Sequence, residues 1–282
     1  MLSRGAMHTV IGKSVQGRDL LLHSNFDLAD AAARLRGSEP GRFSLLIGGT
    51  HGDESATVAI LENFVRTRLE SGGLGGPTAV LSLHNPDGFA AATRHNARGV
   101  DLNRNFPHNW SPASDEPPGL APLSEPESLA LHDFILAHRP AKIVSLHWAL
   151  AEIDADGFQS AALAESMWKA LEKHPGNPYR LRIEKTHSSG SASYCPGSLG
   201  QWCGHGMRYG GGYRPAMVTL ELPYHPHADA RPEILPEDHL ETVRKWWDTR
   251  PGEYLAGVQD PVMEMLEAAC RFGHAWPDAG SR

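Results

Sequence analysis

The sequence predicts an α/β fold: one domain with a mixed, largely parallel twisted sheet flanked by helices. Three short apolar runs carry the prediction. They are Leu45-Leu46-Ile47 before Gly48-Gly49, Lys142-Ile143-Val144-Ser145-Leu146 before His147, and Met217-Val218-Thr219-Leu220 before Glu221. Runs this short and continuous read as strands buried on both faces, as in parallel sheets. Helical spacing follows the first, where Ala56, Ile60, Phe64 and Val58, Leu61, Val65 recur about a turn apart. A chain of 282 residues can bury a large core, and it shows no internal repeat and no separating linker. Residues 1–255 read as the body of the domain and 256–282 as its C-terminal helix and tail.

Taken in order, Thr9 to Leu22 reads as an edge hairpin and Leu28 to Leu35 as a short helix. Ser38-Glu39-Pro40-Gly41 is a turn before the first buried strand. The helix from Asp53 should stop near Leu69, because Ser71-Gly72-Gly73-Leu74-Gly75-Gly76-Pro77 is rich in breakers. Ala79 to Leu83 is a second strand, leading to the turn Asn85-Pro86-Asp87-Gly88. Trp110 to Leu123 reads as a loop, and Ser124-Glu125-Pro126-Glu127 as a capping box opening a helix through His138. A helix is expected from Ser160 to Lys173, then a long loop rich in Gly, Ser and His from Lys185 to Tyr213. Pro236 should start another helix, Leu255 to Phe272 the last one, and Ala275 to Arg282 a frayed tail.

Composition narrows the function. Hydrophobic residues at 40% and charged residues at 21% are those of an ordinary soluble domain. A net charge of -7, a pI near 6.1 and no block of Lys or Arg argue against nucleic acid or an anionic membrane as partner. The first residues lack a signal-peptide core, and no run approaches a membrane span, so a cytoplasmic protein is expected. Cys195, Cys203 and Cys270 form no even-numbered framework and are expected to be free thiols.

His51 and Glu54 fall in the turn from a strand's carboxyl end into a helix, where open α/β sheets place their ligands. An imidazole and a carboxylate so close suit zinc, although the same spacing also fits a plain solvated turn. Four further stretches follow in order: Asn85-Pro86-Asp87-Gly88-Phe89, Asp101-Leu102-Asn103-Arg104-Asn105, the strand ending in His147, and the strand ending in Glu221. In that order they resemble the zinc metallocarboxypeptidases of the carboxypeptidase A type, from Gly12-Lys13-Ser14-Val15-Gln16-Gly17-Arg18 to about Pro223.

The resemblance implies a catalytic domain holding one zinc ion per chain on His51, Glu54 and His147. A fourth, open position would take water and lower its pKa. Glu221 would be the general base, at a strand end where burial raises a carboxyl pKa. Arg94 would face the developing oxyanion, with Arg98 as the other arginine in reach of that role. Asn103 and Arg104 would hold the substrate's terminal carboxylate, for which a guanidinium fork is suited. Tyr194 is the nearest match to the family's mobile tyrosine, with Tyr209 and Tyr213 in the same loop.

Within the family, His51-Gly52-Asp53-Glu54, His147-Trp148-Ala149-Leu150 and Pro196-Gly197-Ser198-Leu199-Gly200 resemble the bacterial murein peptide amidases. The resemblance implies cleavage of the γ-D-glutamyl-meso-diaminopimelate bond during cell-wall recycling. The partner is then a small peptide with a free C-terminal carboxylate, not nucleic acid or membrane. Diaminopimelate ends in both an ammonium and a carboxylate. Glu152, Asp154 and Asp156 could meet the first and Arg208 or Arg214 the second, although loop charges are ordinarily solvated. The alternatives are an acyl-amino-acid deacylase of the succinylglutamate or aspartate type, a general cytoplasmic carboxypeptidase, and an inactive peptide-binding module.

Overall fold

The apolar runs become the middle of one mixed sheet. The computed structural model describes residues 6–33, 35, 41–72, 74–174, 184–186, 195–209, 212–223 and 251–273. Its strands are β1 (Met7–Lys13), β2 (Asp19–Ser24), β3 (Gly41–Ile47), β4 (Thr78–Leu81), β5 (Pro140–Trp148), β6 (Glu152–Asp156), β7 (Glu184–Thr186) and β8 (Ala216–Leu222). They lie in the order β1-β2-β4-β3-β5-β8-β6-β7. The centre, β4-β3-β5-β8, is parallel, while β2 joins β4 and β6 joins β8 antiparallel. The principal helices are α1 (Leu28–Ala33), α2 (Ser55–Phe64), α3 (Pro86–Ala91), α4 (Pro126–His138), α5 (Ala161–Lys173), α6 (Leu199–Gln201) and α7 (Pro251–Arg271).

Strand alternation assigns each residue to one face. Leu46, Val80, Val144, Leu146, Val218 and Leu220 pack with Ile60 and Phe64 of α2, Met167 of α5, and Val258 and Leu266 of α7. Leu45, Ile47, Leu81, Ile143 and Met217 join the other core, with Leu131, Phe134 and Ile135 of α4. Each fully buried aliphatic side chain contributes about 1.5–3 kcal/mol. Lys142 breaks the apolar pattern of β5 for a reason: its buried ammonium donates to the carbonyls of Ala269, Cys270 and Phe272 at 2.7, 3.0 and 2.8 Å. It thereby caps the carboxyl end of α7, where a cation is favoured.

Several expected elements need correction. The helix after Asp53 starts at Ser55 with Glu54 as N-cap, and its last part, Val65–Leu69, is a π-helical turn. Asn85-Pro86-Asp87-Gly88 is the cap and first turn of α3, with the Asn85 side chain accepting from Gly88 N at 2.9 Å. Ser124 and Glu127 form no capping box: Glu125 is the N-cap of α4 and has no side-chain cap. Glu127 instead accepts from Val15 N at 3.0 Å and Asn96 Nδ2 at 3.3 Å, joining the first hairpin to α4. The Gly-, Ser- and His-rich loop contains a buried helical segment, α6 continued by a π-helical turn at Trp202–Gly206. Glu152, Asp154 and Asp156 are strand residues of β6, not loop charges. The helix expected from Pro236 lies outside the described residues. Cys195, Cys203 and Cys270 are free thiols, and no described helix is long and apolar enough to cross a membrane.

Candidate metal centre

Because β3, β5 and β8 are parallel neighbours, their carboxyl ends open on one edge of the sheet. His51 and Glu54 come from the turn after β3, and His147 from the end of β5 beside Glu221 on β8. Gly52 makes the turn possible: a Cβ there would lie 2.0 Å from the Gly88 carbonyl carbon, so only glycine lets α3 pack so close.

The donor atoms converge. His51 Nδ1 is 2.6 Å from Glu54 Oε1, His147 Nδ1 is 3.3 Å from Glu54 Oε2, and the two imidazole Nδ1 atoms are 3.3 Å apart. All three residues are buried, with their ligand atoms within 4.8 Å of one another. Two neutral Nδ1 atoms present lone pairs to each other at that distance, which repel unless a proton or a cation lies between them. The nitrogen and carboxylate set is the one zinc takes in catalytic sites. These residues fit the metal.

Surrounding groups hold the donors in place. Asp101 Oδ1 lies 3.1 Å from His51 Nε2, Ser145 Oγ lies 3.2 Å from His147 Nε2, and Trp148 N donates to Glu54 Oε2 at 3.1 Å. Such partners orient metal-ligating histidines. Without a cation the cluster is strongly coupled. Burial opposes a charge on His51, but Glu54 and Asp101 outweigh it and raise its pKa to about 10. Burial also acts against ionised Glu54, yet His51 and His147 hold it at about 2. Burial lowers His147, so the cluster keeps its proton on His51, where a bound metal would displace it.

Glu221 follows the same alternation as His147, its cross-strand partner. Its Oε2 is buried and has no hydrogen-bond partner among the described residues. Burial, and then the Glu54 charge, raise its pKa to about 8.

Arg94 borders the cluster, with Nη1 3.3 Å from His51 Nδ1 and Nη2 2.9 Å from Asp101 Oδ2. Arg98 lies apart and is over half exposed, with Nη1 on the Ser124 carbonyl at 3.4 Å. Asn103 Oδ1 accepts from Leu199 N at 3.0 Å, while Phe106 N donates to Gly197 O at 2.8 Å. These bonds lay Pro196-Gly197-Ser198-Leu199-Gly200 along the Asn103–Phe106 segment. Arg104 is buried, its Nε on Asp115 Oδ1 at 3.1 Å. Tyr194 lies outside the described residues. Tyr209 is a core residue whose hydroxyl donates to Pro140 O at 2.9 Å, which removes it as a mobile tyrosine. Arg214 donates to Gly204 O at 2.8 Å from the amino end of β8, remote from Glu221.

A zinc carboxypeptidase family model matches residues 4–150. The chain belongs to the zinc carboxypeptidase family. This zinc carboxypeptidase is accordingly a metal-dependent hydrolase. It is 35% identical over 207 residues to murein peptide amidase A of Escherichia coli (strain K12), spanning 68% of this chain and 74% of that one. To murein peptide amidase A of Vibrio campbellii it is 32% identical over 231 residues, spanning 76% of this chain and 79% of the relative. Among solved structures, the murein-tripeptide amidase MpaA of Escherichia coli O157 superposes with a TM-score of 0.59 at 28% identity, covering 96% of this chain and 93% of that one.

Asp101 is the functional neighbour that motif reading left without a role. Its carboxylate meets His51, Arg94 and the Asn103 amide together. The signal was present, since it stands two residues before Asn103 and metal-bound imidazoles need such a partner.

One measurement tests the ligand set. His147→Ala removes a donor from β5 and leaves two from a single turn. Zinc content should fall from one equivalent per chain to a small fraction, by elemental analysis after dialysis. Full retention would place the metal elsewhere.

Proposed function

We propose that this zinc carboxypeptidase releases the C-terminal residue of murein peptides by cutting the γ-D-glutamyl-meso-diaminopimelate bond. The observation that carries the reading is the common face of β5, β8 and β6. There His147, Glu221 and Thr219 stand beside Glu152 and Asp154, with Asp156 next along β6.

Bound zinc would polarise the scissile carbonyl and lower the pKa of water at its open position. Glu221 takes the proton from the attacking water and returns it to the leaving amine. The Arg94 guanidinium faces the oxygen that gains charge, and Asp101 fixes its direction. Asn103 and Arg104 hold the terminal carboxylate of the substrate.

Below Glu221 the face becomes acidic. Asp154 and Asp156 are almost fully buried, and Thr219 Oγ1 donates to Asp156 Oδ2 at 2.8 Å. A Cβ on Gly200 would lie 2.6 Å from both Asp156 carboxylate oxygens, so glycine in α6 leaves the room that this carboxylate takes. An acidic face beside Glu221 favours a C-terminal residue carrying a cation over an aliphatic one, and diaminopimelate carries an ammonium. The likeness to the murein peptide amidases supports this substrate, and cytoplasmic cell-wall recycling follows from it as part of the same proposal.

A substrate panel decides. The zinc-loaded enzyme should prefer a γ-D-glutamyl-diaminopimelate peptide to alanine- or leucine-ended peptides and to N-acyl amino acids. Asp154→Asn with Asp156→Asn should lower that preference by roughly 10–100-fold, the range of a charge-assisted hydrogen bond. Equal cleavage of neutral C-terminal residues by the unaltered enzyme would favour a general carboxypeptidase.

A further inference from the structure

The two arginines assigned to substrate are each met by a carboxylate from the same loop. Residues 107–123 connect the Asn103-Arg104 segment to α4, and the loop is pinned near its far end. Asp101 N donates to Pro117 O at 2.9 Å, Asn105 Nδ2 to Pro118 O at 2.8 Å, and Trp110 Nε1 to the same carbonyl at 3.0 Å. From the pinned loop, Asp115 accepts from Arg104 Nε at 3.1 Å. Its neighbour Glu116 is 3.5 Å from Arg94 Nε and 2.9 Å from His95 Nε2.

The carboxylates around these arginines are of two kinds. Asp101 is fully buried and joins Arg94 to His51, a fixed partner that cannot return to water. The Asp115 side chain is 71% exposed, whereas that of Arg104 is 8% exposed. An exposed carboxylate regains its hydration cheaply on leaving, but a buried guanidinium requires an anion in its place. Arg104 Nη1 already donates to the Asn103 carbonyl at 3.1 Å, so Asp115 shares a partly engaged guanidinium.

We propose that Asp115 is a place-holder for the terminal carboxylate of the substrate, a residue that neutralises Arg104 in the empty site and sets the affinity for anionic C-termini. The inference rests on the assignment of Arg104 to that carboxylate. Substrate then exchanges one carboxylate for another on the same guanidinium, and Asp115 opposes binding without touching the scissile bond.

Steady-state kinetics of the zinc-loaded enzyme test this. Asp115→Asn keeps the shape and removes the charge. For a carboxylate-ended peptide at low salt, KM should fall about three- to fivefold, the weight of an exposed ion pair, with kcat moving less. The gain should shrink as salt is added, and an amide-ended peptide should show no comparable gain. Asp115→Ser, compared by thermal unfolding, repeats the removal of charge if the asparagine variant folds poorly. An unchanged KM overturns the proposal, and a raised one would make Asp115 an orienting partner of Arg104. Arg104→Ala separates the two readings. If it leaves KM unaltered, the assignment of Arg104 is wrong; if it raises KM while Asp115→Asn does not lower it, only the place-holder falls.

Discussion

Glu221→Gln is expected to keep its fold and its zinc while turnover falls by about 10²–10⁴, the usual contribution of a general base. Glutamine fills the same volume and still accepts a hydrogen bond, but it cannot take a proton near neutral pH. The position suits the test, because Glu221 pairs with His147 across β8 and β5 and lies outside the converging ligand set. Its buried Oε2 has no hydrogen-bond partner among the described residues, and burial, then the Glu54 charge, raise its pKa toward the range where a carboxyl group exchanges protons. Substrate affinity should change far less, since the proposed carboxylate grip is that of Asn103 and Arg104. A twofold loss of turnover would leave Glu221 as a strand residue and move the base elsewhere. Loss of zinc along with activity would make it a ligand.

The second large effect is expected at Arg104. Removing one partner of a desolvated charge pair costs on the order of 2–5 kcal/mol, much of it from the charge left behind. Arg104→Ala should therefore weaken carboxylate-ended peptides strongly in kcat/KM, with amide-ended peptides affected little. Lysine should restore only part of the loss, as it keeps the charge but not the fork. Burial opposes the charge on Arg104, but Asp101 and Asp115 together outweigh it and raise its pKa, so the cation persists at any working pH. Equal cleavage of amide- and carboxylate-ended peptides by the unaltered enzyme would sink the assignment.

The central strands and the metal cluster were legible because their signals are local. A continuous apolar run ending in a ligand identifies both a buried strand and the edge where it ends. His51-x-x-Glu54 and the runs before His147 and Glu221 needed only parallel pairing to meet, and the pairing is there. What escaped depended on distant partners. Glu127 has the spacing of a capping box, yet its carboxylate serves Val15 and Asn96 instead. Glu152-Ile153-Asp154-Ala155-Asp156 alternates as a strand should, but its polar members suggested water. They lie on the face of the sheet that carries Thr219 and Glu221 of β8, while Ile153 and Ala155 enter the core. Tyr209 sits in a stretch with loop composition, and only the fold shows its ring inside and its hydroxyl on Pro140.

Strand alternation has a further consequence for how such an enzyme can change. Along β8, Val218, Leu220 and Leu222 belong to one core, and Thr219 and Glu221 to the opposite face; along β6 the same division separates Ile153 and Ala155 from Glu152, Asp154 and Asp156. Odd and even positions therefore meet different physical demands on a single strand, apolar packing on one face and polar contacts on the other. If the proposed side-chain site is right, substitutions at 152, 154 and 156 should alter which C-terminal residue is accepted while the apolar partners of α5 and α7 stay as they are. The polar and the apolar members of this five-residue strand thus serve opposite faces of the sheet.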